Sequence, residues 1–121
     1  LFCSTPMVAL SRNVVRKKAM KMLLTGEPVS AKHAKDIGLI NDHFSSDNLE
    51  EEVLKLAENI SSKSRKVVKI GKKAFYKQLE MPLDKAYKYT SQVMSENMMT
   101  LDAKEGISAF IEKRKPNWKD K

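Results

Sequence analysis

The stretch Ala19-Met20-Lys21-Met22-Leu23-Leu24-Thr25-Gly26-Glu27-Pro28-Val29-Ser30-Ala31 decides how this chain is read. In its first half Ala19, Met22 and Leu23 fall on the face that also takes Val15, a spacing of three and four that predicts an amphipathic helix. Gly26 is placed to stop that helix, because glycine enters the left-handed conformation of a C′ residue without a Cβ penalty. Pro28 blocks continuation. Ser30 then opens a short second helix as its N-cap, with Ala31, Ala34 and Ile37 along it and Gly38 to close it.

Outward from there, Leu39 to Phe44 is short and alternates apolar with polar, which reads as a strand. Ser45, Ser46 and Asp47 make a turn and cap, and Leu49, Val53, Leu56 and Ile60 mark an amphipathic stripe. Ser61 to Ser64 is a break, with Ser64 capping a helix that carries Val67, Val68, Ala74, Phe75 and Leu79. Met81 and Pro82 start the next, since proline is tolerated in a first turn. Leu83, Ala86, Tyr87, Thr90, Met94, Asn97 and Leu101 run along it. Asp102 is the expected cap of a last helix with Ile107, Phe110 and Ile111 inward, ended by Pro116. The tail through Trp118 reads as short and polar. One strand cannot make a sheet. The chain is therefore either all-helical or lends its strand to a sheet formed by residues outside it.

The 121 residues suit one small domain or part of a larger one, and 41% hydrophobic with 31% charged residues is a globular composition. No apolar run approaches the roughly 20 residues that span a bilayer. The opening residues are not expected to be a signal peptide, and without an initiator Met the true start is expected to lie elsewhere. The one cysteine, Cys3, excludes an internal disulfide and fits a reducing compartment. The net charge of +8 is uneven. Residues 1–60 balance eight basic against eight acidic side chains, whereas residues 61–121 hold fifteen against seven. The second half is thus suited to an anionic partner, most often a phosphate.

Within it, Arg65, Lys69 and Lys72 share a helical face, with Lys63, Lys66, Lys73 and Lys77 nearby; a solvated helix surface is the plainer reading. Aromatic interleaving is poor, and no groove-reading pattern points to nucleic acid. Phe110 and Lys113 stand three apart, on one side of a helix, where a ring can stack on a base and an ammonium can meet a phosphate. A core Phe beside a surface Lys is the plain alternative. His33 and His43 have no further ligand cluster, so no metal site is read. Met94, Met98 and Met99 suit adaptable packing or a subunit interface.

Residues 19–31, followed by Ala34, Gly38, Leu39 and Ile40, resemble the pattern of the crotonase superfamily, the enoyl-CoA hydratases and isomerases. So does the terminal run Glu105-Gly106-Ile107-Ser108-Ala109-Phe110 through Lys113-Arg114-Lys115-Pro116. Lys72 falls where many members have an Ala-Lys or Gly-Lys step. The matches run in order along nearly the whole chain.

The resemblance implies a crotonase-like α/β fold, a spiral of ββα turns followed by trimerisation helices. Residues 1–46 would end the spiral core and residues 47–121 would form the mostly α-helical C-terminal trimerisation region. It implies acyl-CoA as ligand or substrate, no other cofactor, a homotrimer or hexamer assembled through these helices, a mitochondrial matrix location, and no nucleic-acid or membrane partner. Phe110 and Lys113 match positions that reach the nucleotide end of CoA bound to a neighbouring subunit. Leu1, Phe2 and Cys3 match the acyl-pocket region. The oxyanion hole and the two glutamates of the family reaction would lie upstream of Leu1, so no catalytic residue is expected here; Glu50, Glu51 and Glu52 match no such position. Typical hydratases have a glycine-rich stretch where this chain has Cys3-Ser4-Thr5-Pro6-Met7. That departure keeps open a non-catalytic relative that binds acyl-CoA or acts as a scaffold.

Overall fold

A computed structural model describes residues 2–120. Among them lie seven α-helices and no strand: α1 (Pro6–Asn13), α2 (Arg16–Thr25), α3 (Ala31–Asp36), α4 (Ser46–Ser61), α5 (Arg65–Gln78), α6 (Leu83–Met98) and α7 (Leu101–Ile111). No helix among the described residues is long and apolar enough to cross a membrane. The chain divides into two compact units between Val53 and Leu54, within α4.

In the first unit the decisive stretch folds as its residues require. Gly26 ends α2 at φ +63°, and its N–H reaches the Met22 carbonyl at 2.9 Å. The Ser30 hydroxyl accepts the His33 N–H at 3.2 Å and caps α3. Gly38 sits at φ +78°, and a Cβ there would stand 3.4 Å from the Asn13 carbonyl oxygen, so conformation and space both favour glycine. Helix α1 was not signalled by periodicity. Pro6 in its first turn fixes φ for helix entry, and α1 packs on α2 with Val14 buried at their junction.

The strand expected at Leu39–Phe44 is absent. The Leu39 and Ile40 N–H groups turn back to the Ala34 carbonyl, at 2.8 and 3.4 Å. Donors that a ladder would use therefore close the end of α3 instead. A strand needs a partner edge, and the described residues supply none. Asp42 holds the segment from its other side, accepting from Lys35 Nζ at 2.6 Å and from the His43 N–H at 2.8 Å.

The second unit packs α5 against α6, and α7 against both. Ser64 caps α5, accepting the Val67 N–H at 3.2 Å. Pro82 is the N-cap of α6 rather than a member of its first turn. The expected cap of α7 also moves: Thr100, not Asp102, accepts the Ala103 N–H, at 3.1 Å. Each of α5, α6 and α7 buries an alanine, respectively Ala74, Ala86 and Ala109, and small side chains let the helix backbones approach closely. Large apolar residues remain outside. The α4 stripe of Leu49, Val53, Leu56 and Ile60 is half-exposed, as are Met94 and Met98 of α6. Ile107, Phe110 and Ile111 face out rather than inward, because the face of α7 that packs is the one carrying Asp102 and Ala109, seven residues apart.

Candidate functional site

The chemistry gathers on α7 and the residues that follow it. At the start of α7, Asp102 is buried to 1% exposure yet fully partnered. The Ser64 hydroxyl donates to Asp102 Oδ2 across 38 residues of sequence. The Lys119 and Asp120 N–H groups donate to the same carboxylate at 2.7 and 3.0 Å. Burial pushes this carboxyl up, but the Ser64, Lys119 and Asp120 donors outweigh that push and hold it below its ordinary value. Asp120 in turn accepts from Arg65, at 2.7 Å from Nε and 2.9 Å from the backbone N–H. The one tryptophan, Trp118, donates its indole N–H to the Ser62 carbonyl at 2.7 Å. Its ring lies over Gly106, where a Cβ would come within 3.3 Å. The tail, short and polar by sequence, is strapped across the starts of α5 and α7.

Beside the strap runs a cleft of about 560 Å³. Val67, Val68, Met98, Ile107, Phe110 and Trp118 make its apolar walls, and Lys63 stands at its edge. Asn97 Oδ1 is buried there without a hydrogen-bond partner.

Phe110, one of the two expected contact residues, is 85% exposed on the rim of this cleft. Lys113, the other, is not on the helix. Helix α7 ends at Ile111 with Glu112 as its C-cap, and Lys113 follows in the left-handed region at φ +54°. Its N–H bonds the Phe110 carbonyl at 3.3 Å, and the Arg114 N–H bonds the Ala109 carbonyl at 3.0 Å. Those two bonds make a Schellman motif with lysine where glycine is usual. The three-residue spacing thus brings Phe110 and Lys113 together through a helix-ending turn, not along a helical face.

Arg114, which the sequence marks only as a member of the terminal run, fastens this turn. It grips Glu105 with both terminal nitrogens, at 2.6 and 3.0 Å, and reaches Glu112 from Nε at 2.6 Å. Glu105 also accepts the Asn117 N–H at 2.7 Å. The Arg114 fork, then the Asn117 N–H, draw the Glu105 carboxyl from its ordinary 4.5 down to about 2. A carboxyl whose native value is depressed adds stability that is complete above its unfolded value and is lost as pH falls through the native one. Acid should therefore loosen the tail between about pH 4.5 and 2. Trp118 emission, excited selectively, should shift to the red across that window, and a spectrum unchanged down to pH 2 would refute the carboxylate strap.

Phe2 and Cys3 are both exposed, and Leu1 lies outside the described residues. Of the basic face on α5, Lys77 leans over the Tyr89 ring of α6 at 4.7 Å and Arg65 pairs with Asp120 at 2.7 Å. Part of the positive charge is therefore spent on holding the unit together.

Comparison with known proteins gives this geometry its setting. The Enoyl-CoA hydratase/isomerase family pattern matches residues 2–121. The chain is 53% identical over 118 residues to the mouse protein named enoyl-CoA hydratase domain-containing protein 3, mitochondrial, covering 98% of this chain and 39% of that protein. The sequence opening Leu1-Phe2-Cys3-Ser4-Thr5-Pro6 resembles that same branch. Its helices superpose on an enoyl-CoA hydratase of Mycobacterium smegmatis with a TM-score of 0.93 at 49% identity, covering 98% of this chain and 46% of that one. They superpose on the crystal structure of human enoyl Coenzyme A hydratase domain-containing protein 3 with a TM-score of 0.91 at 52% identity, covering 98% and 47%. The chain thus spans about two-fifths of the length of the curated relatives it matches. The mitochondrial location expected for it is the one those relatives carry in their names. The fold is the mostly helical C-terminal part of the crotonase fold, and the chain belongs to the enoyl-CoA hydratase/isomerase family.

Proposed function

We propose that the chain serves an acyl-CoA-binding enoyl-CoA hydratase/isomerase-like protein of fatty acid metabolism, to which it contributes subunit assembly and contacts to CoA. The carrying observation is the 85% exposure of Phe110 at the rim of the cleft, hydrogen-bonded through its carbonyl to the backbone of Lys113. A ring left in water costs free energy unless a ligand or another subunit covers it. A base stacked there would place phosphates within reach of a lysine ammonium, which acts as a point charge. The excess of positive charge in residues 61–121 favours the same anionic ligand. Assembly is supported by the large side chains that the helices leave uncovered, Leu83, Tyr87, Met94 and Met99 among them. Hydration or isomerisation of an enoyl thioester would be the work of the full-length protein, with Leu1, Phe2 and Cys3 near the acyl group.

Calorimetric titration of the full-length protein with acetyl-CoA tests this. Phe110→Ala and Lys113→Ala should each weaken binding about fivefold, the order of one stacking or charge contact, without changing the oligomer mass. Wild-type affinity in both variants would remove CoA from this site.

A further inference from the structure

We infer that Arg114 is a positioning residue for the nucleotide contact: its guanidinium fastens both sides of the left-handed turn that carries Lys113. The inference rests on the reading of Phe110 and Lys113 given above. A non-glycine residue at φ +54° is disfavoured by the contact between its Cβ and its own backbone, and it persists only where its surroundings hold it. The backbone bonds of the turn, at 3.3 and 3.0 Å, would hold a glycine equally well and do not explain why a lysine stays there. Arg114 supplies what is missing. Nε takes Glu112, the residue before Lys113, at 2.6 Å, while the two terminal nitrogens take Glu105 on α7 at 2.6 and 3.0 Å. Positions 112 and 114 are therefore tied to each other and to the helix. Lys113 stands between them, and its ammonium joins no ion pair among the described residues. Glu105 is further fixed by the Asn117 N–H at 2.7 Å, which anchors the far side of the same turn.

The arrangement also has an electrostatic side. Glu105 and Glu112 would repel a phosphate approaching Lys113, and Arg114 offsets one of those two charges. A lysine at 114 would keep that positive charge but lose the planar fork that grips two carboxylates at once. Arg114→Lys therefore separates geometry from charge.

The experiment measures binding of acetyl-CoA and of S-acetylpantetheine, which lacks the nucleotide, to the full-length protein and its Arg114→Ala, Arg114→Lys, Phe110→Ala and Lys113→Ala variants. Arg114→Ala and Arg114→Lys should both weaken acetyl-CoA about fivefold and leave S-acetylpantetheine within about twofold. Adding Arg114→Lys to Lys113→Ala should cost nothing more, because residues that act through one contact are not additive. Wild-type affinity in Arg114→Lys would show charge rather than position to be the cause and overturn the inference. So would equal weakening of both ligands, the mark of general structural damage. If Lys113→Ala weakens binding and neither Arg114 variant does, the positioning role alone is lost. If Phe110→Ala and Lys113→Ala both bind as wild type, the contact itself is absent and the inference falls with it.

Discussion

Asp102→Ala should lower the thermal midpoint by on the order of 10 °C, with Trp118 emission already shifted to that of an exposed indole below the transition. Among the described residues none is less exposed, and three donors end on it, from Ser64, Lys119 and Asp120. Alanine leaves all three unmet in a space that water reaches poorly, and unmet buried donors cost more than the bonds themselves contribute. The loss also spreads. Ser64 caps α5 with the oxygen whose proton it gives to Asp102, so that proton must find another acceptor. Asp120 holds Arg65 at the first residue of α5, so a freed tail unfastens that helix start a second time. A midpoint within about 2 °C of wild type would mean that the tail is bound elsewhere and that Asp102 is not its anchor.

Ala109→Leu should destabilise the second unit by about 3 kcal/mol, read as a lowered denaturant midpoint at unchanged slope. Ala109 is 2% exposed on the face of α7 that packs against α5 and α6. Three added carbons cannot be taken up by one rotamer change at a site this buried, so α7 must move off its neighbours. Phe110 is adjacent in sequence, and the Ala109 carbonyl accepts the Arg114 N–H. The helix-ending turn should therefore shift too, and acetyl-CoA affinity should fall together with stability. A cost below about 1 kcal/mol would show slack in the packing that the burial of Ala109 argues against.

What the sequence disclosed was whatever depends on near neighbours. The bonds by which Gly26, Ser30, Gly38 and Ser64 stop or cap a helix reach no further than four positions, so their types alone announced those breaks. Helix α1 escaped because its eight residues are too short for a period to stand out, and its real signal was Pro6. The strand at Leu39–Phe44 was misread because alternation is a statement about faces, whereas a strand also needs an edge to pair with. Asp102 was taken for a cap because its type suits one. Thr100, two residues earlier, took the cap, and the helical repeat then turned Asp102 inward. Its partners Ser64 and Lys119 lie 38 and 17 residues away, beyond any local pattern. Phe110 and Lys113 were legible as a spacing, but the turn that joins them was not, because it holds no glycine to mark it.

That missing glycine has a consequence for anyone engineering the protein. Ranked by stability alone, position 113 is a defect: the left-handed backbone at φ +54° would relax with no side chain attached. A heat-challenge selection should accept glycine there readily and, if Lys113 does meet the nucleotide, return sturdier proteins that have lost grip on their ligand. The turn after α7 would then be a place where durability and recognition pull on one residue in opposite directions, with the outcome set by which of them is being selected.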